Sequence, residues 1–207
     1  MKLQNLVLGM VMTNVYLVRN ESNNEMIIID PADDAPSIAR KIGEMGGEPK
    51  AILLTHGHFD HIGAAEELRN LYKIPVWCEK SETEVLADPR INLSASWAAG
   101  VVLKADRTFS DGDTLEIAGF AIKALHTPGH TEGSSCFYFP SEKALFSGDT
   151  LFCESYGRTD FPTSSGADMM RSVRRLLKEI PEDVRVYPGH DAFTDIAWER
   201  KYNPLAE

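Results

Sequence analysis

The chain has 207 residues with 21 basic and 31 acidic side chains, which gives a formal net charge of −10 at pH 7. A hydrophobic fraction of 43% and a charged fraction of 25% are typical of a globular protein, and no apolar run is long enough for a transmembrane helix. The acidic balance disfavours a nucleic-acid partner, because such proteins usually present a basic face. We therefore expect a single domain over residues 1–207, with no membrane and no nucleic acid among its partners.

Apolar and β-branched runs between turn residues predict strands, and apolar residues at helical spacing predict helices. In chain order the predicted elements are strands at Thr13–Arg19 and Met26–Asp30, a helix at Ala35–Met45, a strand at Lys50–Leu54, a helix at Ile62–Tyr72, a strand at Pro75–Cys78, a helical turn at Ser81–Leu86, strands at Val101–Leu103, Thr114–Ile117, Phe120–His126, Ser134–Phe139 and Lys143–Ser147, a helix at Gly166–Ile180, a strand at Val184–Tyr187 and a helix at Thr194–Tyr202. The spacing of Ser81 and Glu84 predicts a capping box. The β-rich and then helical order occurs twice, which predicts an α/β (α+β) fold with two facing sheets and helices outside.

The cysteines and the amino-terminal residues indicate the cellular compartment of the protein. Cys78, Cys136 and Cys153 are widely spaced and odd in number, unlike a disulfide framework. The segment from Met1 to Met10 lacks the clustered basic charge and long apolar stretch of a signal peptide. Both features predict a cytoplasmic protein with reduced thiols, and we expect Cys153 to be a buried core residue.

The strongest chemical signal is the segment HGHFDH at residues 56–61, directly after the predicted strand Lys50–Leu54. Side chains two apart on an extended loop project to the same side, so His56 and His58 can bind one metal ion. Asp60 and His61 are adjacent where the chain enters a helix, point in different directions and can serve a second ion. Imidazole and carboxylate ligands suit Zn²⁺, Fe²⁺ or Mn²⁺, and the lack of cysteine disfavours a closed structural zinc site.

Three later loops carry residues of the same kind, each directly after a predicted strand. They are TPGHT with His130, SGDT with Asp149 and YPGH with His190. Loops at strand ends often converge to build functional sites. With the first segment they use five of the six histidines, and the remaining one, His126, is expected to be a hydrogen-bonded framework residue.

The ordered set of HGHFDH, His130, Asp149 and His190 resembles the metallo-β-lactamase superfamily over nearly the whole chain. The resemblance implies a four-layer αββα metallo-β-lactamase sandwich with two metal ions at the edge between its sheets. It implies that the first ion is held by His56, His58 and His130, the second by Asp60, His61 and His190, and both by a bridging Asp149. It also implies that Asp30 supports the ligand loop from behind by hydrogen bonding.

Four further motifs, TPGHTEGS, SGDTLF, YGRTDFP and WERKYNP, resemble the glyoxalase II-like (hydroxyacylglutathione hydrolase-like) branch. This resemblance implies a metal-dependent thioesterase that attacks a small-molecule thioester with a metal-bound hydroxide, Asp60 taking part in catalysis. It implies two divalent ions, with Zn²⁺ preferred and Fe²⁺ or Mn²⁺ as alternatives. The chain ends about where the helical domain of larger glyoxalase II enzymes would begin, so the use of glutathione stays open.

Other interpretations remain at this point. A persulfide dioxygenase of the same branch would use two histidines and one carboxylate on a single Fe²⁺, and a lactonase would use the same seven ligands. The GRTDF segment and the missing signal peptide disfavour a β-lactamase, and a domain that only binds metal is a further alternative.

Arg158 could bind a substrate carboxylate or pair with Asp160 in the same turn. A terminal helix that exposes Trp198 and Tyr202 could form a homodimer contact.

Overall fold

Two six-stranded β-sheets lie face to face in the computed structural model, which describes residues 1–206. The first sheet contains, side by side in chain order, β1 Lys2–Leu8, β2 Thr13–Arg19, β3 Glu25–Ile29, β4 Glu48–Leu53, β5 Val76–Glu79 and β6 Arg107–Phe109. Next along the chain come β7 Thr114–Ile117, β8 Phe120–His126, β9 Ser135–Phe139, β10 Ala144–Gly148, a small hairpin of β11 Leu151–Phe152 and β12 Ser155–Tyr156, and then β13 Arg185–Pro188 and β14 Thr194–Asp195. The second sheet has the order β14-β13-β10-β9-β8-β7.

The helices cover the outer faces of the two sheets. They are α1 Ala35–Met45, α2 Phe59–Ile62, α3 Ala65–Tyr72, α4 Glu82–Ala87, α5 Ser94–Trp97, α6 Gly166–Glu179 and α7 Ile196–Tyr202, with a 3₁₀ turn at Pro140–Glu142. The two longest helices, α1 and α6, begin at residues that favour a helix start, because Asp34 accepts the N–H of Ser37 and Ser165 accepts that of Asp168.

Alternating side chains on each strand divide the apolar residues into three layers. On β2, Leu17 packs in the layer under α1 and α3, whereas Tyr16 points toward the second sheet. On β9, Phe137 joins Tyr16 in the layer between the sheets, whereas Cys136 packs in the layer under α6. The layers therefore run helix, sheet, sheet, helix, which confirms the predicted αββα fold.

The predicted strand at Val101–Leu103 is wrong. The N–H of Val101 donates to the side chain of Ser94 at 2.8 Å, and the N–H of Leu103 donates to the carbonyl of Leu86 at 3.0 Å. These bonds tie the segment to neighbouring helical turns, and the strand that pairs with β5 is β6, a few residues later. A short apolar run alone does not show whether its backbone pairs with a strand or a loop.

The predicted helix at Ile62–Tyr72 is interrupted. The structure ends α2 at Ile62 and begins α3 at Ala65. Between them the N–H of Ala64 donates to the carbonyl of Pro31 at 2.9 Å, and a Cβ on Gly63 would collide with Ala32. The break lets the chain pass close to the segment after β3, and it leaves the HGHFDH loop with a separate one-turn helix.

Two predictions at helix starts are also wrong. The side chain of Ser81 makes no capping bond, and its N–H donates to Glu79, so no capping box forms. The last helix begins at Ile196, two residues later than predicted, because the side chain of Asp195 accepts the N–H of Trp198 and so forms the helix cap.

The cysteines are unpaired, as predicted, with Cys78 and Cys136 buried. The prediction of a buried Cys153 is wrong, since it is only partly covered on the turn between β11 and β12. Within residues 1–206 no helix is both long and apolar enough to cross a membrane. The exposed Trp198 and Tyr202 lie together on α7 with ring centroids 4.3 Å apart, and the homodimer stays a prediction.

Candidate metal centre

Loops from both sheets bring seven histidine and aspartate side chains together at one edge of the sandwich. The contributing segments are the loop after β4 with His56 and His58, α2 with Asp60 and His61, and the loops after β8, β10 and β13 with His130, Asp149 and His190. Since β4 belongs to the first sheet and β8, β10 and β13 to the second, the site lies where the sheets meet.

Backbone hydrogen bonds hold the two sheets together beside this site. The N–H of Asn14 on β2 donates to the carbonyl of Gly189 at 2.7 Å, and the N–H of Ser135 on β9 donates to Thr55 at 2.8 Å. The hydroxyl of Tyr16 donates to the carbonyl of Pro188 at 2.6 Å. The ligand loops are therefore fixed to each other as well as to their own strands.

The seven side chains form three overlapping groups with metal-binding geometry. These are His56, His58 and His130; His56, His61 and Asp149; and Asp60, His61 and His190, with the donor atoms of each group within 4.8 Å of one another. The first and third groups contain the residues predicted for the two separate ions, and the second joins them through Asp149. The geometry thus suits a dinuclear site, while the ligand role of each residue stays a prediction.

Several polar atoms at the centre lack a hydrogen-bond partner. Nε2 of His56, Nε2 of His58 and Oδ1 of Asp149 are buried and unpartnered. Buried polar atoms are nearly always satisfied, so such a concentration indicates a functional site. Nδ1 of His58 also lies 2.8 Å from Nε2 of His130, so two imidazole nitrogens face each other. Nitrogen and oxygen donors in this arrangement fit divalent cations.

Hydrogen bonds behind the histidines fix which ring nitrogen faces the centre. Nδ1–H of His61 donates to Oδ2 of Asp30 at 3.0 Å, and Nδ1–H of His130 donates to the carbonyl of Arg158 at 2.8 Å. Both rings therefore direct Nε2 toward the other candidate ligands, so Nε2 is the atom that would bind a metal ion once any proton on it is lost.

Asp30 connects the end of β3 to the first ligand loop. Its Oδ1 accepts the N–H of Thr55 at 2.8 Å, and its Oδ2 accepts the hydroxyl of Thr55 at 2.6 Å as well as the His61 ring. The residue is buried and has φ 49°, a left-handed conformation that is unfavourable for a residue with a Cβ. Such a backbone persists only where surrounding contacts enforce it. These contacts give the predicted supporting role of Asp30 a physical basis.

The charges at the site favour a cation. Burial lowers the pKa of His58 to about 3, so its ring is neutral and free to act as a ligand. Burial opposes the charged form of His61, but Asp60 and Asp149 outweigh it and raise the pKa to about 9. Although burial acts the opposite way, His61 and His190 lower the pKa of Asp60 to about 2. Protons on the histidines beside Asp60 and Asp149 balance the negative charge of these carboxylates. A divalent cation can take the place of those protons.

Glycines in the ligand loops allow close approach. A Cβ on Gly189 would collide with Oδ1 of Asp149 and would lie 2.8 Å from Cε1 of His61. Gly148 has φ 49°, and a Cβ there would collide with Thr55. The PGH and SGD sequences therefore carry glycine because ligand side chains and backbone pack directly against these positions.

Arg158 pairs with Asp160 at the surface beside the site. Its Nε and Nη2 donate to the two carboxylate oxygens at 2.8 and 2.7 Å, and its guanidinium lies 4.1 Å from the ring centroid of Phe161. Phe161 in turn packs edge-on against His58, with ring centroids 5.4 Å apart. The predicted pairing with Asp160 is present, and a substrate-binding role for Arg158 stays a prediction.

Some residues that shape the site could not be predicted from the sequence. The hydroxyl of Thr13 donates to Oδ2 of Asp60 at 2.9 Å, and the buried Glu82 bonds to two ligand loops. Neither belongs to a motif, and their partners are distant along the chain. Phe161 stood in the GRTDFP segment, but only the folded chain shows it against His58. The prediction for His126 is confirmed, since its Nε2 lies 2.7 Å from the carbonyl of Glu132.

Residues 8–190 match the family model described as the Metallo-beta-lactamase superfamily. The chain belongs to this superfamily. Among curated relatives of this metallo-β-lactamase-fold protein, the probable metallo-hydrolase YqgX of Bacillus subtilis is 35% identical over 208 residues, covering 99% of this chain and 97% of YqgX. The hydroxyacylglutathione hydrolase GloC of Haemophilus influenzae is 32% identical over 195 residues, covering 93% and 92% of the two chains. These relationships identify a metal-dependent hydrolase.

Solved structures of similar proteins agree over the full length of this superfamily member. The B3 metallo-β-lactamase BLEG-1 is 35% identical and superimposes with a TM-score of 0.93, covering 99% of each chain. The di-iron-bound form of TTHA1623 is 33% identical with a TM-score of 0.87, covering 98% of this chain and 99% of that protein. Both comparisons support the fold, and the second is with a protein that binds two iron ions.

Proposed function

We propose that the protein is a thioester hydrolase of glyoxalase II type that uses two divalent metal ions. The observation that carries the proposal is the convergence of seven histidine and aspartate side chains whose central atoms include unpartnered, buried nitrogen and oxygen. In this proposal the first ion would be held by His56, His58 and His130, the second by Asp60, His61 and His190, and Asp149 would contribute to both. Asp30 orients His61 from behind.

The chemistry follows from the donor set and from the leaving group. Two ions, when bound, would lower the pKa of a water between them and polarise the acyl carbonyl. Asp60, held by Thr13 and with its pKa lowered to about 2, is a charged acceptor and would orient this water. A thiol leaving group has a pKa of about 8.5 and departs as thiolate, so no dedicated general acid is needed.

A relative of matching length supports glutathione thioesters as substrates. GloC carries the name hydroxyacylglutathione hydrolase, and the match covers 92% of its length. An enzyme with that name thus has little chain outside the matched region. The name and length of this relative support glutathione thioesters as substrates of an enzyme without a large helical domain. We infer a hydroxyacylglutathione thioester as the first substrate to test.

The identity of the metal is part of the proposal. Histidine and carboxylate ligands suit Zn²⁺, Fe²⁺ and Mn²⁺ alike, and the availability of each metal in the cell helps to decide which one binds. Zn²⁺ is our first expectation, and the di-iron form of TTHA1623 makes iron a specific alternative. We also propose a cytoplasmic location, supported by three unpaired cysteines.

Two other activities have support of their own. An iron enzyme that oxidises persulfides would use two histidines and one carboxylate, a set present in His56, His61 and Asp149. β-Lactam hydrolysis, which the sequence disfavoured, gains support from the similarity to BLEG-1. A lactonase would use the same seven residues, so only substrate rates separate it from a thioesterase.

Metal analysis followed by a substrate panel tests the proposal. Protein as purified is analysed for zinc, iron and manganese, then assayed with a hydroxyacylglutathione, a lactone, a chromogenic cephalosporin and glutathione persulfide with oxygen uptake. We expect two ions per chain and the highest kcat/KM for the thioester. One iron per chain with oxygen uptake would replace the hydrolase with the dioxygenase.

Matched histidine variants show whether the activity belongs to this site. His56→Ala and His190→Ala should each lose metal and activity. His126→Ala is the control, because that ring bonds to the carbonyl of Glu132 and is not a candidate ligand. Equal losses in all three variants would point to misfolding rather than to a metal centre.

A further inference from the structure

Glu82 is a buried carboxylate that bonds to the first histidine loop. It is the first residue of α4, and its exposed fraction is 0%. Its Oε1 accepts the N–H of Gly57 at 2.6 Å. Gly57 separates His56 from His58, so this hydrogen bond fixes the backbone between two candidate ligands of the first ion.

The other oxygen of Glu82 bonds to the loop that carries His130. Oε2 accepts the hydroxyl of Thr131 at 2.8 Å and the N–H of Gly133 at 2.9 Å. This loop comes from the second sheet, whereas Gly57 follows a strand of the first. One carboxylate therefore joins the two loops that supply the predicted ligands of the first ion.

Small residues let Glu82 reach both loops. A Cβ on Gly57 would lie 3.2 Å from Oε1 of Glu82 and 3.0 Å from the side chain of Leu86. A Cβ on Gly133 would collide with the backbone N of Glu82. Both loops pack closely against α4, so the Glu82 carboxylate contacts them directly. This packing also restricts where the carboxylate can lie.

All three partners of Glu82 are donors, so the site requires two acceptor oxygens. Glutamine has the same shape but replaces one oxygen with an NH₂ group. Whichever way that amide is turned, its NH₂ faces a backbone N–H, either of Gly57 or of Gly133. The backbone N–H would then lose its acceptor in a buried place, which is unfavourable.

We propose that Glu82 is a positioning residue that holds the loops of His56, His58 and His130 at the separation that the first metal ion requires. The inference rests on the proposed metal-dependent function. Glu82 contacts no candidate donor atom itself and acts through the backbone on either side of the ligands. Second-layer contacts of this kind typically change metal affinity by 10–100-fold.

Zn²⁺ binding by the full-length Glu82→Gln variant tests the proposal. Zinc is titrated at pH 8, where the Glu82 carboxyl is ionised, into metal-depleted wild type and variant in competition with a chromophoric chelator. We expect wild type to bind two ions tightly, and the variant to keep one while its affinity for the other falls at least 10-fold. Activity is not needed for this readout, so the result does not depend on knowing the substrate.

Glu199→Gln is a chemically matched control. Glu199 is also fully buried, and three groups donate hydrogen bonds to its carboxylate. They are the N–H of Glu154, the hydroxyl of Thr194 and the side-chain amide of Asn203. None of these partners adjoins a candidate ligand. We expect this control to lower the melting temperature yet bind two Zn²⁺ ions with wild-type affinity, so a loss of stability alone cannot mimic the result for Glu82.

The outcomes separate this inference from the proposed function. If wild type binds no zinc, the proposed metal centre and this inference both fail. If wild type binds two ions and Glu82→Gln binds them equally well, only the inference fails. Should Glu82→Gln not fold, Thr131→Val removes one donor and Thr131→Ser keeps it, and only the valine variant should weaken zinc binding.

Discussion

The hydroxyl of Thr13 donates a hydrogen bond to Oδ2 of Asp60 at 2.9 Å, although the two residues are 47 positions apart. Thr13 begins β2, is fully buried and pairs with Leu8 of β1, so its position is set by the first sheet. The same Oδ2 lies 3.3 Å from Nε2 of His190. The threonine thus orients the carboxylate oxygen that faces the second predicted metal ion.

Replacing Thr13 with valine should weaken that orientation without changing the volume of the side chain. We expect Thr13→Val to lower kcat about 10-fold and to weaken binding of the second ion. Loss of a hydrogen bond to a metal ligand has effects of this size in other proteins. Activity and metal content are measured together, at saturating Zn²⁺ and in competition with a chelator. Thr13→Ser keeps the hydroxyl and should behave like wild type, and equal defects in both variants would count against the orienting role.

Asp30→Asn tests the support behind His61. Both oxygens of Asp30 accept hydrogen bonds, from the backbone and hydroxyl of Thr55 and from the His61 ring. An asparagine keeps only one acceptor oxygen, so one buried donor loses its partner. We expect 10–100-fold weaker Zn²⁺ binding, measured by chelator competition. Asp33→Asn, at an exposed position in the same segment, is the control and should leave zinc affinity unchanged.

Much of the fold was predictable because strands and helices follow local patterns. The prediction of a strand at Thr13–Arg19 and of a helix at Ala35–Met45 agrees with the structure residue for residue. Two of the errors fall where a hydrogen bond that the apolar pattern does not reveal decides the backbone. Val101 bonds to a serine side chain instead of a strand, and Ala64 bonds to the carbonyl of Pro31 and breaks a helix.

The candidate ligands were predictable for a different reason. Metal chemistry restricts each ligand position to a few residue types, so His130 and His190 stand out in the sequence as histidines after Pro-Gly. Residues that act through hydrogen bonds have no such restriction. Thr13 and Glu82 are common residue types in unremarkable contexts, and only folding brings them to Asp60 and to Gly57.

Arg158 offers a test of substrate recognition. Its guanidinium is paired with the carboxylate of Asp160 and stacked on Phe161, while its side chain remains 63% exposed. A substrate carboxylate can compete for the same donors. We expect Arg158→Ala to raise KM for a carboxylate-bearing thioester about 10-fold, the effect of losing a charged hydrogen bond, with kcat unchanged.

Two comparisons sharpen this test. Asp160→Asn removes the competing carboxylate and should lower KM for the same substrate. A thioester without a carboxylate should give the same KM with wild type and Arg158→Ala. A fall in kcat with KM unchanged in Arg158→Ala would instead assign the arginine to the ordering of the loop beside His130, whose ring donates to its carbonyl.

The buried Glu82 should give the unfolding free energy a distinctive pH dependence. Burial is the main cause that raises the pKa of this carboxyl from 4.5 to about 7, although Thr131, Gly57 and Gly133 donate to it. Because the folded protein retains the proton to a higher pH than the unfolded chain, this group stabilises the fold fully below pH 4.5. That contribution is lost as the pH rises to about 7, and it amounts to about 3 kcal/mol at 1.36 kcal/mol per pKa unit.

Denaturant unfolding of metal-depleted wild type and Glu82→Gln between pH 4.5 and pH 8 measures this contribution. Metal is removed because its own binding depends on pH. Groups other than Glu82 titrate alike in both proteins, so the difference between their unfolding free energies reports on Glu82 alone. We expect wild type to lose about 3 kcal/mol relative to the variant across this range. A constant difference would mean that the donated hydrogen bonds fully offset burial and keep the carboxyl ionised throughout.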